Sequence, residues 1–246
     1  MQVLSFIAMP LSSFSVGRET GGYPETLILE FAGRTDRKHA RLRHTFSSMD
    51  AVTVCTRVRF DPDCFGISTI FSYSIKSNIN EFQLRGHLVK GKPVQLALLV
   101  HGAYGPYQDA FHHDGSWHSV CVSWNQSGGR WALFTHGQFV SEGEGLSSSS
   151  IGPDGLFIIG QEQDTFGGSF KKNESFSGSI TELYIWDRVL NASEMKSMEK
   201  ELLSFQTLNI YLIKERGNLS LLRTAPSMNS VGHLMVLVNV KRITSL

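Results

Sequence analysis

The sequence lacks any long hydrophobic run. A helix that crosses a bilayer needs about 20 predominantly apolar residues, and no stretch of roughly that length occurs in the chain. We therefore expect no transmembrane segment here. The lead-in, residues 1–24, contains a weak apolar stretch without a basic residue before it, whereas secretory signals normally begin with a positive region. Two interpretations stay open for it, a shortened signal region and an ordinary first strand.

An excess of charge of either sign is also missing. The 23 lysines and arginines are balanced by 22 aspartates and glutamates, which leaves a formal net charge of +1. Long-range attraction to nucleic acid or to an anionic membrane surface depends on such an excess. The balance therefore predicts no nucleic-acid partner.

Cysteine is scarce and odd in number, with Cys55, Cys64 and Cys121 as the three examples. Cys55 and Cys121 lie on the less apolar faces of two predicted strands. They are either two buried thiols or a disulfide that closes a loop of roughly 65 residues. In the chain-entropy model such a disulfide would stabilise the folded state by about 4 kcal/mol. The chain also carries four Asn-X-Ser glycosylation motifs, at Asn125, Asn173, Asn191 and Asn218. These motifs favour a secreted or cell-surface chain and hence the disulfide, with Cys64 left unpaired.

What the sequence does contain is a series of short alternating strands from residue 25 to 190, separated by Gly, Asp, Asn and Ser. The segments AVTVCTRVRF and HSVCVSW alternate apolar with polar residues, and the turn NQSGG joins the second segment to RWALFTHG in a predicted hairpin. LFIIG and SITELYIWD are too apolar for edge strands. Strands at this spacing without helices between them predict an all-β, antiparallel sandwich of two sheets.

One segment has the pattern of a helix, and the region after it matches neither the strands nor the helix clearly. Residues 191–204 combine strong helix formers with Met195, Met198 and Leu202 at helical spacing, and Ser193 is the candidate N-cap. We interpret the two methionines as packing residues. Residues 205–246 form an atypical tail in which LNIYLI and HLMVLVNV are the only strand candidates.

The segment GQEQDTFGGSF is unusual because it follows a buried strand with clustered oxygen donors and two glycines. Glu162, Gln163 and Asp164 are consecutive, and Gly167 and Gly168 close the loop. Calcium binds six to eight oxygen ligands from carboxylates, carbonyls and amides. The pattern therefore predicts a calcium loop, and the alternative is that the two acids only accept hydrogen bonds and order the loop.

Several of these segments, taken in order, resemble the pentraxins over residues 25–204. WHSVCVSW is similar to the family's hallmark strand, and SYSIKSNINEF and IIGQEQDTFGGSF are similar to the two loops of its calcium site. FSGSITELYIWDRVL resembles the strand that follows, and GGRWALFTHG resembles the pentraxin-type domain of adhesion G-protein-coupled receptors. The resemblance implies a jelly-roll sandwich and a conserved disulfide, here Cys55–Cys121.

The resemblance also implies a ligand set for calcium. Glu162, the carbonyl of Gln163 and Asp164 would bind the ion together with Asn80, while Ile79 stands where the family has a carboxylate. The second calcium of the family would need acidic or amide groups at the positions of Lys171 and Glu174. Removing one carboxylate and adding an ammonium weakens calcium binding. We therefore expect one calcium site of low affinity in place of the family's two, with no site as the alternative.

Three classes of function follow from these observations. The first is an extracellular recognition module for a protein, glycan or lipid-headgroup ligand, in the setting of an adhesion receptor. The second is a calcium-independent self-association or protein-interaction domain, with a homo-oligomer as its form. The third is an enzyme such as a sandwich-fold glycoside hydrolase, which would need paired carboxylates on a strand. Glu162 and Asp164 lie in a loop without a third acid in register, so we predict no enzymatic activity.

Overall fold

The structure is a computed structural model that describes residues 28–202 and three short segments, 212–215, 218–221 and 235–238. Two antiparallel seven-stranded sheets contain most of the chain. We call them the helix-side sheet and the loop-side sheet, after what covers the outer face of each. The prediction of an all-β, two-sheet jelly-roll sandwich with one short helix is confirmed.

The helix-side sheet has six strands in the order β1-β13-β3-β9-β10-β11, and β16 pairs with β13. Its strands are β1 (Ile28–Phe31), β3 (Ala51–Phe60), β9 (His118–Asn125), β10 (Arg130–Thr135), β11 (Gln138–Gly143), β13 (Gly178–Trp186) and β16 (Met235–Val238). The predicted hairpin of β9 and β10 is present, with a 3-10 turn at Ser127–Gly129. SITELYIWD is an interior strand, as its apolar character predicted.

The loop-side sheet has the order β2-β12-β4-β5-β6-β7, and β8 pairs with β6. Its strands are β2 (Ala40–Leu42), β4 (Gly66–Ile75), β5 (Asn78–Leu88), β6 (Val94–Val100), β7 (Ala103–Tyr104), β8 (Gln108–Phe111) and β12 (Leu156–Ile159). LFIIG, as predicted, is not an edge strand, because β12 lies between β2 and β4. Two further strands, β14 (Leu212–Glu215) and β15 (Asn218–Leu221), form a separate hairpin.

The core lies between the inner faces of the two sheets and is rich in aromatic rings. Phe71 and Phe157 are stacked with their ring centroids 5.0 Å apart, and Phe82 and Tyr73 pack beside them. Trp124 is fully buried, and its indole N–H donates to the carbonyl of Leu146. The alternation of each strand therefore leaves its polar residues on the outer faces.

The predicted disulfide is present on the outer face of the helix-side sheet. Cys55 on β3 lies directly opposite Cys121 on β9, and the two are bonded. Helix α1 (Ala192–Leu202) covers them with Met195 and Met198, as the packing interpretation expected. Cys64 is a buried free thiol, and the Arg34 Nε–H donates to its sulfur over 2.8 Å.

The helix lies where the sequence predicted it, but the predicted N-cap was wrong by two residues. Asn191, not Ser193, is the N-cap, because its Oδ1 accepts the backbone N–H groups of Ser193 and Glu194 at 3.0 Å each. Glu194 reciprocates by accepting the N–H of Asn191 at 2.8 Å, which completes a capping box. Asn is as good a cap as Ser, so residue preference alone does not favour Ser193 over Asn191.

Part of the tail joins the sandwich through its backbone. Strand β16 pairs with Leu183–Trp186 of β13, on the edge that β1 leaves uncovered. The hairpin of β14 and β15 is a second ordered piece of the tail. The boundaries drawn at residues 24 and 204 stay predictions, and residues 1–24 lie outside the described part of the chain.

Candidate functional site

The loop after β12, residues 160–175, crosses the outer face of the loop-side sheet. It begins at Gly160, where φ is +85° and an added Cβ would lie 2.5 Å from the ring of Phe31. The N–H of Gly160 donates to Ile70, and its carbonyl accepts from Phe176. A residue other than glycine would have to displace this close contact. The loop is therefore fixed to the sheet at both ends.

Gln163 anchors the middle of the loop with its side chain. Its Oε1 accepts from the Ser74 hydroxyl at 2.7 Å and from the N–H of Gly167 at 3.0 Å. Its Nε2 donates to the carbonyls of Ser72 and Leu156, both at 3.1 Å. The side chain is buried and committed to the fold, so the predicted role in metal binding falls to the backbone carbonyl of Gln163.

The structure brings three predicted acids together beside this anchor. Glu162, which is 8% exposed, shares a side-chain hydrogen bond with Glu174, and Asp164 lies close enough to act electrostatically on Glu162. The carboxylates of Glu162 and Asp164 each also contact a cation of the same chain. Arg85 Nη2 is 2.9 Å from Glu162 Oε1, and Lys171 Nζ is 3.0 Å from Asp164 Oδ2.

Burial and the hydrogen bond to Glu174 together raise the pKa of Glu162 to about 7, although Arg85 acts to lower it. Two carboxyl groups in contact can share a hydrogen bond only if one of them holds a proton. The hydrogen bond to Asp164 raises the pKa of Lys171, so that amine stays charged. The loop is therefore nearly neutral in total despite its three acids.

Asn80, the predicted ligand from the neighbouring hairpin, makes its recorded hydrogen bonds elsewhere. Its N–H donates to the Asn78 side chain at 3.2 Å, and its carbonyl accepts from Gly102 at 2.8 Å. The buried acid beside it, Glu81, accepts hydrogen bonds from Asn78, Gly152 and His101. Glu81 is therefore a structural anchor of this corner, which sequence reasoning missed.

Sequence reasoning also missed Arg85 and the tyrosines around it. The Arg85 guanidinium lies 5.0 Å from the ring centroid of Tyr104, which is 53% exposed. Tyr107 shares a hydrogen bond with Arg85, and burial raises its pKa. The available signal was that Arg85 alternates with Glu81 and Gln83 on the polar face of β5, which leaves a charged side chain there in need of a partner.

These donors fit a single calcium ion in part. Glu174 Oε2 is shielded from solvent and has no hydrogen-bond partner, and it lies in the same loop as Glu162 and Asp164. Among residues 28–202, however, no three His, Cys, Asp or Glu side chains are arranged to hold a metal ion. Two of the three carboxylates, those of Glu162 and Asp164, are already paired with Arg85 and Lys171. The set does not fit two ions.

The glycosylation motifs differ in accessibility. Asn173 is exposed in a 3-10 turn at Lys172–Glu174 of the same loop, and Asn191 is exposed at the start of α1. Asn125 is half-buried at the end of β9, and Asn218 is the first residue of β15. Glycans on Asn173 or Asn191 would meet no steric obstacle from burial, and modification of all four sites stays a prediction.

The long apolar helix that a bilayer requires is absent from the part of the chain that the structure describes.

Comparison with known proteins identifies sequences and a protein family that this chain resembles. A model described as the Pentaxin family matches residues 28–214. The human adhesion G protein-coupled receptor D2 is 37% identical over 171 residues, which are 69% of this chain and 18% of the receptor. Human neuronal pentraxin-2 is 34% identical over 173 residues, which are 70% of this chain and 39% of that protein. The chain thus spans less than half the length of these curated relatives.

A solved structure agrees with the sequence matches. The native heptameric SAP-like pentraxin from Limulus polyphemus superposes with a TM-score of 0.66 at 27% identity, covering 71% of this chain and 82% of that one.

Proposed function

The chain belongs to the Pentaxin family, and from that premise we propose that it is an extracellular recognition module of an adhesion receptor. The observation that carries the proposal is the loop of residues 160–175, which brings Glu162, Asp164 and Glu174 together beside the Gln163 anchor. The disulfide and the exposed motifs at Asn173 and Asn191 support an extracellular setting. The partner is an extracellular protein, a glycan or a lipid headgroup.

The calcium part of the proposal is a single, weak site. Glu162, Asp164 and Glu174 would supply carboxylate oxygens, Gln163 its carbonyl and Asn80 its amide. Bound calcium would offer a ligand's anionic oxygen an electrophilic partner at this face. Extracellular calcium modules bind with Kd values on the order of 10⁻⁴–10⁻³ M, and we place this site in that range because Lys171 competes for Asp164.

This site can be tested by comparing the Tm of the protein in calcium with its Tm in a chelator. A ligand that binds only the native state adds RT ln(1 + [L]/Kd) to its stability. Calcium at about tenfold Kd therefore contributes about 1.4 kcal/mol, which raises the Tm by roughly 3–6 °C. The rise should disappear in Asp164→Ala, whose recorded side-chain partner is only Lys171. An equal rise in wild type and variant would place calcium elsewhere, and no rise in wild type would remove it from the function.

A second candidate function is calcium-independent self-association. It is supported by the SAP-like pentraxin from Limulus polyphemus, which is heptameric and 27% identical to this chain. Sedimentation velocity in chelator tests it directly. A discrete oligomer would support this function, and a monomer at every concentration would exclude it. We propose no enzymatic activity.

A further inference from the structure

The outer face of the helix-side sheet carries a second feature besides helix α1. The helix packs over the disulfide and the residues beside it. At the end of the sheet where β1 and β3 end and β13 begins, three polar residues form a row across the strands. Glu30 lies opposite Ser179, and Ser179 lies opposite Arg59. One acid, one hydroxyl and one guanidinium therefore stand side by side.

A groove with a volume of about 330 Å³ opens beside this row. Sites for small molecules are usually about 300–1,000 Å³ in volume, so the groove has room for one sugar-sized unit. We call it the Arg59 groove, after the one cation in its lining. The polar side chains that line it are those of Glu30, Arg59, Asp61 and Ser179.

The guanidinium of Arg59 is held in place from two sides. It lies 5.0 Å from the ring centroid of Trp117, and its Nη2 donates to Ser179 Oγ at 3.0 Å. That hydrogen bond uses one of the five N–H groups of an arginine. Within the part of the chain that the structure describes, no carboxylate forms an ion pair with Arg59. Arg59 is therefore a positioned cation that keeps donors for an anion.

The neighbouring arginine on the same face of β3 is placed differently. The Nη1 of Arg57 lies 3.8 Å from Glu182 Oε2, and its guanidinium lies 6.0 Å from the ring centroid of Trp117. Arg57 is not part of the groove lining. The two arginines thus have the same charge and the same aromatic neighbour, but only Arg59 faces the groove.

The two acids of the groove restrict which anions fit. Neighbouring strands are about 4.8 Å apart, so Glu30 and Arg59 extend from backbone positions about 10 Å apart. Asp61 accepts the Ser177 hydroxyl at 3.0 Å and the N–H of Asp63 at 3.1 Å. Several negative charges on one ligand would be repelled by these carboxylates, whereas hydroxyl groups can donate to them. The groove is therefore complementary to a single carboxylate joined to several hydroxyls.

We propose that the Arg59 groove binds an acidic sugar unit of a glycan, with the carboxylate of the sugar on Arg59 and its hydroxyls on Glu30 and Asp61. An arginine and a carboxylate form two parallel N–H···O hydrogen bonds, which fixes the orientation of the sugar. The groove lies on the opposite face of the sandwich from the loop of residues 160–175. The proposal therefore does not depend on calcium, and it gives the recognition module a second ligand surface.

Glucuronic acid and glucose are matched probes for this site, because they differ only in a carboxylate that replaces a hydroxymethyl group. Binding is followed in chelator through the indole N–H signal of Trp117 in a heteronuclear NMR spectrum. Trp117→Phe identifies that signal among the four tryptophans of the chain. We expect glucuronic acid to shift the signal with a Kd on the order of 1–10 mM, as suits a ligand of this size. Glucose at the same concentrations should leave it unchanged.

Arg59→Gln and Arg57→Gln form a matched pair of variants, because they remove the same charge from two positions on one face of β3. The first should weaken the binding of glucuronic acid about 10- to 100-fold, since it removes charge-assisted hydrogen bonds. The second should weaken it by less than about threefold, because a charge outside the groove is screened by water. Arg59→Lys keeps the charge without the planar fork and should lie between wild type and Arg59→Gln. If Arg59→Gln does not fold, Arg59→Lys and the two sugars still decide the result.

Three results would overturn the proposal. The first is equal binding of the two sugars, or equal losses in Arg59→Gln and Arg57→Gln. The second is tighter binding of N-acetylglutamate amide than of glucuronic acid, because the groove would then suit an acidic peptide. The third is no shift with either sugar up to about 50 mM, well above the expected Kd. Since every measurement is made in chelator, none of these results bears on the calcium site.

Discussion

Glu182 is a largely buried acid at a bulge of β13, where the register with β3 shifts and φ is +52°. Burial raises its pKa to about 7, Arg57 acts to lower it, and Glu199 on α1 raises it. The nearest cation is Arg57, whose Nη1 is 3.8 Å away. At neutral pH the folded protein therefore holds a proton here that an unfolded chain would release.

This proton makes stability depend on pH. Because the folded pKa is about 7 and the ordinary value is 4.5, the free energy of unfolding falls as pH rises between these values. We predict that Glu182→Gln is more stable than wild type by about 1–3 kcal/mol at pH 8 and differs little at pH 4.5. Chemical denaturation at both pH values checks this. Exposed Glu142→Gln is the control, and the same pH trend in it would refute the assignment.

Sequence reasoning at this scale found Glu162, Gln163 and Asp164, because they are consecutive and follow a recognisable strand. It did not find Arg85, since the partnership with Glu162 joins residues far apart in the chain. The inward direction of Gln163 was equally hidden, because it depends on Ser72 and Ser74 of another strand. Local pattern predicts which groups are present, and the fold decides which of them meet.

Helix α1 depends on a cap that is also a glycosylation motif. Asn191 Oδ1 accepts two backbone N–H groups, and the Asn191 N–H donates to the carboxylate of Glu194. Arg188 holds that carboxylate through two contacts of 3.0 and 2.7 Å. The strands were predicted well because their alternation is local. The N-cap was not, because Asn and Ser are equally good caps and only the direction of the chain after Leu190 decides between Asn191 and Ser193.

We predict that Asn191→Ala destabilises the domain by about 1 kcal/mol, whereas Asn191→Asp changes stability by only a few tenths. Both variants lose the glycosylation acceptor, so unglycosylated protein should be used for the comparison. Urea denaturation monitored by fluorescence measures the difference. Equal losses in the two variants would show that the amide, not the cap, is what matters.

The whole sandwich was predictable as a class, since strands at regular spacing without intervening helices leave few architectures. The contribution of the tail was not predictable. Residues 205–246 carry two apolar stretches, but only the pairing of Met235–Val238 with β13 shows that one of them completes a sheet. That pairing joins segments about fifty residues apart in the chain, and local pattern carries no information about it.

We predict that a chain ending at residue 204 associates more strongly than the whole chain. Without β16, the backbone groups of Leu183–Trp186 that it covers become an open strand edge, and such edges pair with other chains. Sedimentation velocity over a range of concentrations compares the two. A chain ending at Val240 keeps the strand and is the control. Identical behaviour of all three would show that β16 does not protect this edge.

The disulfide lies beneath α1, and its burial has a consequence for redox chemistry. Cys55 is 0% exposed and Cys121 is 6% exposed, with Met195 and Met198 above them. A reducing thiol must reach a sulfur atom directly to exchange with it. Reduction of the folded protein therefore has to wait until the helix detaches. The rate at which a small thiol reagent reduces this bond would report how often that detachment occurs.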